Sequence, residues 1–171
     1  LDAVVGVPGS KSVANRAIIC AMLAKGESVL RGVPDGDDTA VLLTVLRDVK
    51  RIQQITHDYY MIAGDPQGKL PNIVDAQLAG TSSRFLTAVA ALSPDTHIID
   101  GVAPLRSRPM RDLHEGLIAL GADVVALGPA GHLPVSVSRG TCVGGRVVVR
   151  CDVSSQLFSA LMLIGPVLRE G

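Results

Sequence analysis

Three short segments of the sequence place hydroxyl side chains directly before an apolar run of helical length. They are residues 9–12, 80–83 and 153–156. The start of a helix presents unpaired N–H groups and a partial positive charge, and this combination attracts phosphate and carboxylate groups. Ser and Thr are also common helix caps, so one such segment alone indicates no more than a cap. Three of them in one chain make anion binding the chemistry to consider.

Cationic side chains accompany two of these segments. Lys11 lies within the first, and Arg16 follows Ser12 by one helical turn, on the same face of the expected helix. Arg84 comes directly after the second segment. A cation on a buried helix without a carboxylate partner needs an anionic ligand. We therefore interpret the helix starts as an anion site and expect them to converge near one axis.

A second group of cations surrounds another expected helix start, within residues 106–111. The planar fork of an arginine side chain suits carboxylate and phosphate groups. Arg108 is the candidate for the site, because Pro109 fixes the backbone beside it. Arg106 and Arg111 are interpreted as a solvated basic loop.

The acidic residues and histidines are explained by structural roles. Asp35, Asp37 and Asp38 precede an expected helix, which favours capping, and they lack the spacing of a calcium loop. The four histidines form neither an HExxH pattern nor a Ser/His/Asp order, so they are interpreted as surface or structural residues. The sequence therefore predicts no metal site.

Composition argues against nucleic-acid and membrane partners. Basic and acidic residues number 16 each, and the aromatic residues are two Phe and two Tyr, so neither a basic surface nor a stacking platform is expected. No apolar run approaches the roughly 18 residues of a membrane span. The first residues, Leu1-Asp2-Ala3, show no signal-peptide pattern, and the three cysteines form no CxxC pair. We expect a cytoplasmic protein with reduced, packed thiols.

The elements that must position these side chains repeat along the chain. With Ser12, Ser83 and Ser155 taken as equivalent, the period is about 70 residues, which is typical of a repeat-built fold. Each apolar helix leads into a short strand in the first two copies, and then into an amphipathic helix. The expected strands are 29–33, 59–63, 98–102, 123–127 and 133–138. The first helix of each copy is expected over 13–24, 84–92 and 157–168, and the first and third of these are apolar on nearly all sides and are therefore expected to be buried on all sides. The second helices are expected over 40–49 and 110–120, each with one apolar face.

This alternation of strands and helices indicates the α/β (or α+β) class. Residues 1–171 are expected to form a single incomplete lobe of a larger protein, with repeat units of about 1–72 and 73–144 and a partial third unit over 145–171.

Four motifs, in this order and spacing, resemble those of the 5-enolpyruvylshikimate-3-phosphate synthase (EPSP synthase) family over nearly the whole chain. They are Pro8-Gly9-Ser10-Lys11-Ser12 with Asn15-Arg16, Ala79-Gly80-Thr81 with Arg84, Arg108-Pro109, and Val153-Ser154-Ser155-Gln156. The resemblance implies an enolpyruvate-transferase-like lobe of βαβαββ units, with buried helices around a pseudo-threefold axis. It also implies a second lobe, which this chain does not contain.

The family's reaction transfers the enolpyruvyl group of phosphoenolpyruvate to the 5-hydroxyl of shikimate 3-phosphate and releases phosphate, in aromatic amino-acid biosynthesis. The resemblance implies small anionic substrates, no metal or organic cofactor, and a monomeric full-length protein. The substrate-binding residues that it implies are Ser12, Arg16, Ser154 and Ser155 for shikimate 3-phosphate, Gly80 and Arg108 for phosphoenolpyruvate, and Lys11 and Gln156 for both, with Thr81 and Arg84 as further candidates.

The sequence departs from the family pattern beside the second helix start. Leu78 stands where many members have Asn, and Ser82-Ser83 replace a common Ala-Met pair, which puts phosphoenolpyruvate affinity and glyphosate sensitivity in question. The family's acid/base residues, an Asp and a Lys-Glu pair, belong to the second lobe. The resemblance therefore implies no catalytic residue in this chain, and we expect the isolated chain to be inactive.

Three alternatives remain open. A UDP-N-acetylglucosamine enolpyruvyl transferase usually has Lys-Asn in place of Lys11-Ser12 and a reactive Cys in the loop that here spans 101–105 without one. A noncatalytic lobe could keep the anion site alone. A lobe of the RNA terminal-phosphate cyclase type would need a catalytic His and a basic surface, against which the zero net charge argues.

Overall fold

A computed structural model describes residues 3–5, 7–150, 152 and 154–171. Leu1, Asp2, Cys151 and Val153, about which the sequence makes predictions, lie outside the described residues. In chain order the elements are α1 Lys11–Leu23, β1 Glu27–Arg31, α2 Asp37–Asp48, β2 Ile52–Thr56, β3 Tyr59–Ala63, β4 Ile73–Asp75, α3 Gly80–Ala90, β5 His97–Asp100, α4 Ala103–Arg106, α5 Arg111–Ala119, β6 Asp123–Ala126, β7 Val135–Ser138, α6 Ser155–Ile164 and a 3₁₀ helix Gly165–Val167.

The second repeat contains every element of a βαβαββ unit. Its sheet has the order β4-β5-β7-β6, in which β4 and β5 are parallel and the other pairs antiparallel. Helix α3 connects the two parallel strands, and α5 precedes the hairpin of β6 and β7. The short helix α4, which the sequence analysis did not predict, lies between β5 and α5.

The first repeat contributes an antiparallel sheet of order β1-β3-β2. Strand β3 has the bounds predicted from its apolar alternation, and Tyr60 and Ile62 point from it into the core. The described residues before α1 form no strand, and Val4 and Val5 among them are exposed. The third repeat is represented by α6 and the 3₁₀ helix that follows it.

Helices α1, α3 and α6 begin at Lys11, Gly80 and Ser155. The expected equivalence of Ser12, Ser83 and Ser155 is therefore wrong in the second copy, where the helix begins before Ser83. The hydroxyls of Ser82 and Ser83 are buried within the first turn of α3 rather than preceding it.

The core is centred on α3, which packs against α1, α2, α5 and α6 and buries almost all of its residues. Helices α1 and α6 each keep one exposed face. Phe158 and Met162 are exposed on α6, and Val13 and Cys20 on α1. The expectation that these helices are buried on all sides is wrong for those positions, because no described element packs there. The packed-thiol expectation is confirmed for Cys142, which is buried, and is wrong for Cys20.

None of the helices in the described part of the chain combines the length and hydropathy that crossing a membrane requires.

Candidate functional site

The start of α1 places Lys11 beside an acidic residue of another helix. Ser10 caps α1, its Oγ accepting from the Val13 N–H at 3.5 Å. Lys11 Nζ lies 2.5 Å from Oδ2 of Asp38, whose side chain is 7% exposed against 56% for Lys11. The hydrogen bond from this ammonium to Asp38, followed by the Coulomb attraction, raises the pKa of Lys11. Lys11 is therefore a cation at neutral pH.

The start of α3 is capped by the same carboxylate. Ala79 offers no side-chain cap, and Asp38 Oδ1 instead accepts from the N–H groups of Thr81 at 3.0 Å and Ser82 at 3.3 Å. Ser82 Oγ in turn donates to the carbonyl oxygen of Asp38 at 2.7 Å. An anionic group thus already occupies this helix start, and it belongs to the protein.

Two expectations about these charges are therefore wrong. Asp38 was expected to cap its own helix, but the N-cap of α2 is Gly36, with no side-chain cap, and the Asp38 carboxylate is turned toward α3. Lys11 was expected to lack a carboxylate partner and has one in Asp38. These contacts join residues far apart in the sequence, so no local signal could have shown them.

Arg108 lies against the same helix start. A Cβ atom added to Gly80 would fall 2.5 Å from Nη1 of Arg108, so the absence of a side chain at Gly80 makes room for the guanidinium. The connection between α4 and α5 holds Arg108 there, since its backbone N–H donates to Leu105 O at 3.0 Å and the N–H of Met110 donates to Gly131 O at 2.8 Å.

Arg84 extends the cluster from α3 to α6. Its side chain is buried, and Nη1 donates to Gln156 Oε1 at 2.5 Å while Nη2 donates to Pro109 O at 3.4 Å. Burial, and then repulsion from Arg108, lowers the pKa of Arg84. In the part of the chain that the structure describes, neither Arg84 nor Arg108 forms a salt bridge with a carboxylate, and Arg84 Nε has no hydrogen-bond partner.

Arg16 joins α1 to α6 and also contacts α3. Its Nη1 donates to Ser12 O at 2.9 Å and its Nη2 to Ser159 Oγ at 3.0 Å. The guanidinium carbon lies 5.5 Å from the centre of the Phe85 ring on α3, a cation–π distance. Ser159 could not be found from the sequence, because a single serine inside an apolar helix gives no signal of its partner.

Helix α6 begins at the fourth motif. Ser154 is its N-cap, with Oγ accepting from the Gln156 N–H at 3.2 Å, which also orients the residue that Arg84 contacts. Ser155 and Ser12 are exposed, and their hydroxyls have no hydrogen bond to another described residue. Both hydroxyls are free to contact a ligand.

Most of the predicted residues are joined by contacts, several of them through Asp38, which was expected only as a helix cap. Asp38 connects Lys11 with Thr81, Gly80 lies against Arg108, and Arg84 connects α3 with α6. We call this set the helix-start cluster: Lys11, Ser12, Arg16, Asp38, Gly80, Thr81, Arg84, Arg108, Ser154, Ser155 and Gln156.

Arg106 and Arg111 lie outside this cluster, as expected. Arg106 is half exposed and makes two hydrogen bonds to Asp100, at 2.8 and 2.7 Å, and these lower the pKa of that carboxyl. Arg111 pairs with Glu115 across an exposed helical turn at 3.8 Å.

Leu78 faces a different part of the surface. It is about half exposed and, with Asp37, Asp75 and Val102, lines a cavity of about 580 Å³ between α2 and the end of β4. Its neighbour Gln77 has a positive φ of 50° in the turn that leads into α3. A leucine at this position therefore adds apolar surface to this cavity and no hydrogen-bonding group.

Fold and site together define a class: a mixed α/β lobe built from repeated units, in which the starts of three core helices gather cations and hydroxyls. A model of the family described as EPSP synthase (3-phosphoshikimate 1-carboxyvinyltransferase) matches residues 1–171. The chain belongs to this family, which confirms the resemblance drawn from the four motifs.

Individual relatives agree with the family match. The chain is 33% identical over 171 residues to a 3-phosphoshikimate 1-carboxyvinyltransferase of Bacteroides fragilis, covering 100% of this chain and 37% of the relative. A protein of the same name from Opitutus terrae is 37% identical, with 96% and 40% covered. The solved EPSP synthase of Acinetobacter baumannii superposes with a TM-score of 0.82 at 27% identity, covering 95% of this chain and 37% of that one. The fold class is thereby confirmed, and the chain spans about two fifths of these relatives.

Proposed function

We propose that this chain is the anion-binding part of an enzyme that transfers the enolpyruvyl group of phosphoenolpyruvate to the 5-hydroxyl of shikimate 3-phosphate. The observation that carries the proposal is the buried guanidinium of Arg84 beside that of Arg108, with no carboxylate salt-bridged to either among the described residues. Burial of Arg84 and repulsion from the exposed Arg108 disfavour the charge on Arg84 more than the attraction of Asp38 favours it, and an anionic ligand offsets that cost.

The substrates divide between the two ends of the helix-start cluster. Gly80 and Arg108 lie together and suit the carboxylate or phosphate of phosphoenolpyruvate. Shikimate 3-phosphate is assigned to the hydroxyls of Ser12, Ser154 and Ser155 with Arg16, and these belong to the starts of α1 and α6. Contacts to both substrates are assigned to Lys11, which follows Ser10 and contacts Asp38, and to Gln156, which contacts Arg84. Thr81 donates its N–H to Asp38, so its contribution is to the shape of the site.

These residues bind and orient but do not move protons. The reaction forms a C–O bond to the 5-oxygen and breaks the C–O bond to phosphate, so it needs groups that exchange protons near neutral pH. Lys11 is held as a cation by Asp38, and guanidiniums remain charged. Asp38, the carboxylate of the cluster, is engaged by three donors. We therefore propose that proton transfer depends on residues outside this chain and that the isolated chain does not turn over.

We further propose a cytoplasmic location, which the free thiols of Cys20 and Cys142 support. A monomeric full-length protein without nucleic-acid or membrane partners stays a prediction.

Isothermal titration with shikimate 3-phosphate tests the function. We expect saturable binding. Lys11→Ala should weaken it about tenfold or more, because it removes a hydrogen bond between two charged groups. Ser154→Ala should weaken it about threefold to tenfold, because it removes a hydroxyl that caps α6 and orients Gln156. Lys25→Ala, an exposed lysine just past the opposite end of α1, is the matched control and should bind as the unaltered chain does. A folded chain that does not bind, or turnover by the isolated chain in a phosphate-release assay, would contradict the proposal.

A further inference from the structure

The Asp38 carboxylate is the most heavily used polar group of the helix-start cluster. One oxygen contacts Lys11 Nζ, and the other accepts from the N–H groups of Thr81 and Ser82. The carbonyl oxygen of Asp38 accepts from Ser82 Oγ as well. Capping α3 does not require Asp38 to contact Lys11, because Lys11 belongs to a different helix, α1.

Through these bonds Asp38 ties together three elements. It belongs to the first turn of α2, it caps α3, and it holds the first residue of α1. Its side chain is 7% exposed, so water competes little for these bonds. The relative placement of the α1 and α3 starts therefore depends on this one carboxylate.

Lys11 is the residue of the cluster whose position depends most on such a contact. Its ammonium is carried on four flexible carbon atoms, and a free lysine samples many rotamers. The ammonium has three N–H donors, of which the Asp38 carboxylate takes one, and the side chain remains 56% exposed. Two donors on a fixed nitrogen are thus left for a ligand.

We propose that Asp38 is the positioning residue of this site: it fixes the Lys11 ammonium over the start of α3, so that the remaining N–H donors meet the incoming anion already oriented. The identity of that anion rests on the proposed function. The placement of Lys11 by Asp38 does not.

The neighbouring Asp37 shows what is specific to Asp38. Both are acidic residues in the first turn of α2, and both raise the pKa of Lys11, but Asp37 does so weakly and at a distance. Asp37 is exposed and forms no salt bridge with a described residue. Asp37→Asn therefore removes the same charge from the same turn without touching Lys11, which makes it the matched control.

The test compares Asp38→Asn with Asp37→Asn in the full 171-residue chain, first without ligand. A ¹⁵N-detected NMR titration of the Lys11 ammonium should show its pKa fall in Asp38→Asn and stay close to the original value in Asp37→Asn. An unchanged Lys11 pKa in Asp38→Asn would overturn the proposal. A purely structural role would lower the unfolding temperature and leave the Lys11 titration as it was.

Titration with shikimate 3-phosphate supplies the second readout. Asp38→Asn should weaken binding about threefold to tenfold, whereas the double variant Asp38→Asn/Lys11→Ala should bind no more weakly than Lys11→Ala alone, because Asp38 acts through Lys11. Additive losses, or tighter binding by Asp38→Asn from removal of its negative charge, would overturn the proposal. If the unaltered chain does not bind this ligand, the proposed function fails, and the Lys11 titration still decides the role of Asp38.

A measurement on the unaltered chain covers the case in which Asp38→Asn does not fold. The ammonium protons of Lys11 should exchange with water more slowly than those of the exposed Lys25, because one of them is held by a buried carboxylate. Equal exchange rates would overturn the proposal.

Discussion

Two residues of the helix-start cluster shape the site in different ways: Gly80 through its missing side chain and Arg84 through its positive charge. Gly80 contributes no side chain, and Arg108 uses the space. Arg84 contributes a buried positive charge whose hydrogen-bond partners, Gln156 and a backbone carbonyl, are uncharged. Arg108 beside it is exposed, so positive charge is available there to an anionic substrate.

Gly80→Ala is expected to weaken phosphoenolpyruvate binding by roughly tenfold, the effect of losing one hydrogen bond to a charged group. The added Cβ would fall 2.5 Å from Arg108 Nη1, so the guanidinium must move. Because only the end of a flexible side chain has to shift, the unfolding temperature should not fall. Isothermal titration and thermal unfolding measure the two effects.

Gly165→Ala is the matched control, since its added Cβ makes only an ordinary contact, 3.7 Å from Gly171. It should leave phosphoenolpyruvate affinity unchanged. Equal affinity in Gly80→Ala and the unaltered chain would show that Arg108 does not act from the observed position.

Sequence reasoning at this scale found the cations and hydroxyls but not their partners. Lys11, Arg84 and Arg108 could be chosen because each lies beside a helix start in the sequence. Asp38 was assigned to the wrong helix and Ser159 was not noticed, because their contacts depend on how helices pack. A single sequence shows local patterns but does not show which distant residues are in contact.

Elements of this fold differ in how well their boundaries follow from local pattern. Strand β3 was predicted to the residue and the hairpin of β6 and β7 within two residues, because alternation of apolar and polar residues defines them. Helix α5 begins at Arg111, close to expectation, but α4 was missed, since a four-residue helix containing Pro104 carries almost no periodic signal. The exposed faces of α1 and α6 could not be predicted, because apolar residues on a helix do not show whether another element packs against them.

Helix α5 also contains a buried histidine whose titration should destabilise the fold in acid. Burial, and then repulsion from His132, lowers the pKa of His114 from 6.5 to about 4. As the pH falls from 6.5 toward 4, the unfolded chain takes up a proton at this position and the folded chain does not, so the free energy of unfolding decreases. We expect this residue to account for a loss of about 2 kcal/mol across that range.

Urea unfolding at a series of pH values measures this loss. His114→Leu should lose less stability between pH 6.5 and 4 than the unaltered chain, whereas His57→Leu, at a side chain 85% exposed, should lose as much as the unaltered chain. Identical pH dependence in His114→Leu and the unaltered chain would show that another group is responsible.

At the scale of the whole molecule, one arrangement of strands occurs twice among the described residues: the order β1-β3-β2 of the first sheet recurs as β5-β7-β6 in the second. Asp38 joins the starts of α1 and α3, and Arg84 joins α3 to Gln156 at the start of α6, so side chains from distant parts of the sequence meet there. The periodicity could be read from the sequence, and the family from the four motifs. The convergence of the helix starts depends on packing around α3, which the sequence only suggested.

The helix-start cluster offers positive charge and hydrogen-bond donors, and its carboxylate, Asp38, is already engaged by three donors. The chain spans about two fifths of the length of its relatives. Apolar side chains at Val4, Val5, Phe158 and Met162 remain exposed around the lobe. The proposed function therefore assigns proton transfer to residues outside the helix-start cluster.

The central claim is that the helix starts form one anion site, and backbone NMR of the chain titrated with shikimate 3-phosphate tests it most directly. Amide shifts are expected to change first, and to saturate together, at residues 11–16, 80–84 and 154–156, with Arg108 following. Shifts concentrated at the separate cavity lined by Asp37, Asp75 and Val102, or saturating independently at each helix, would contradict the account.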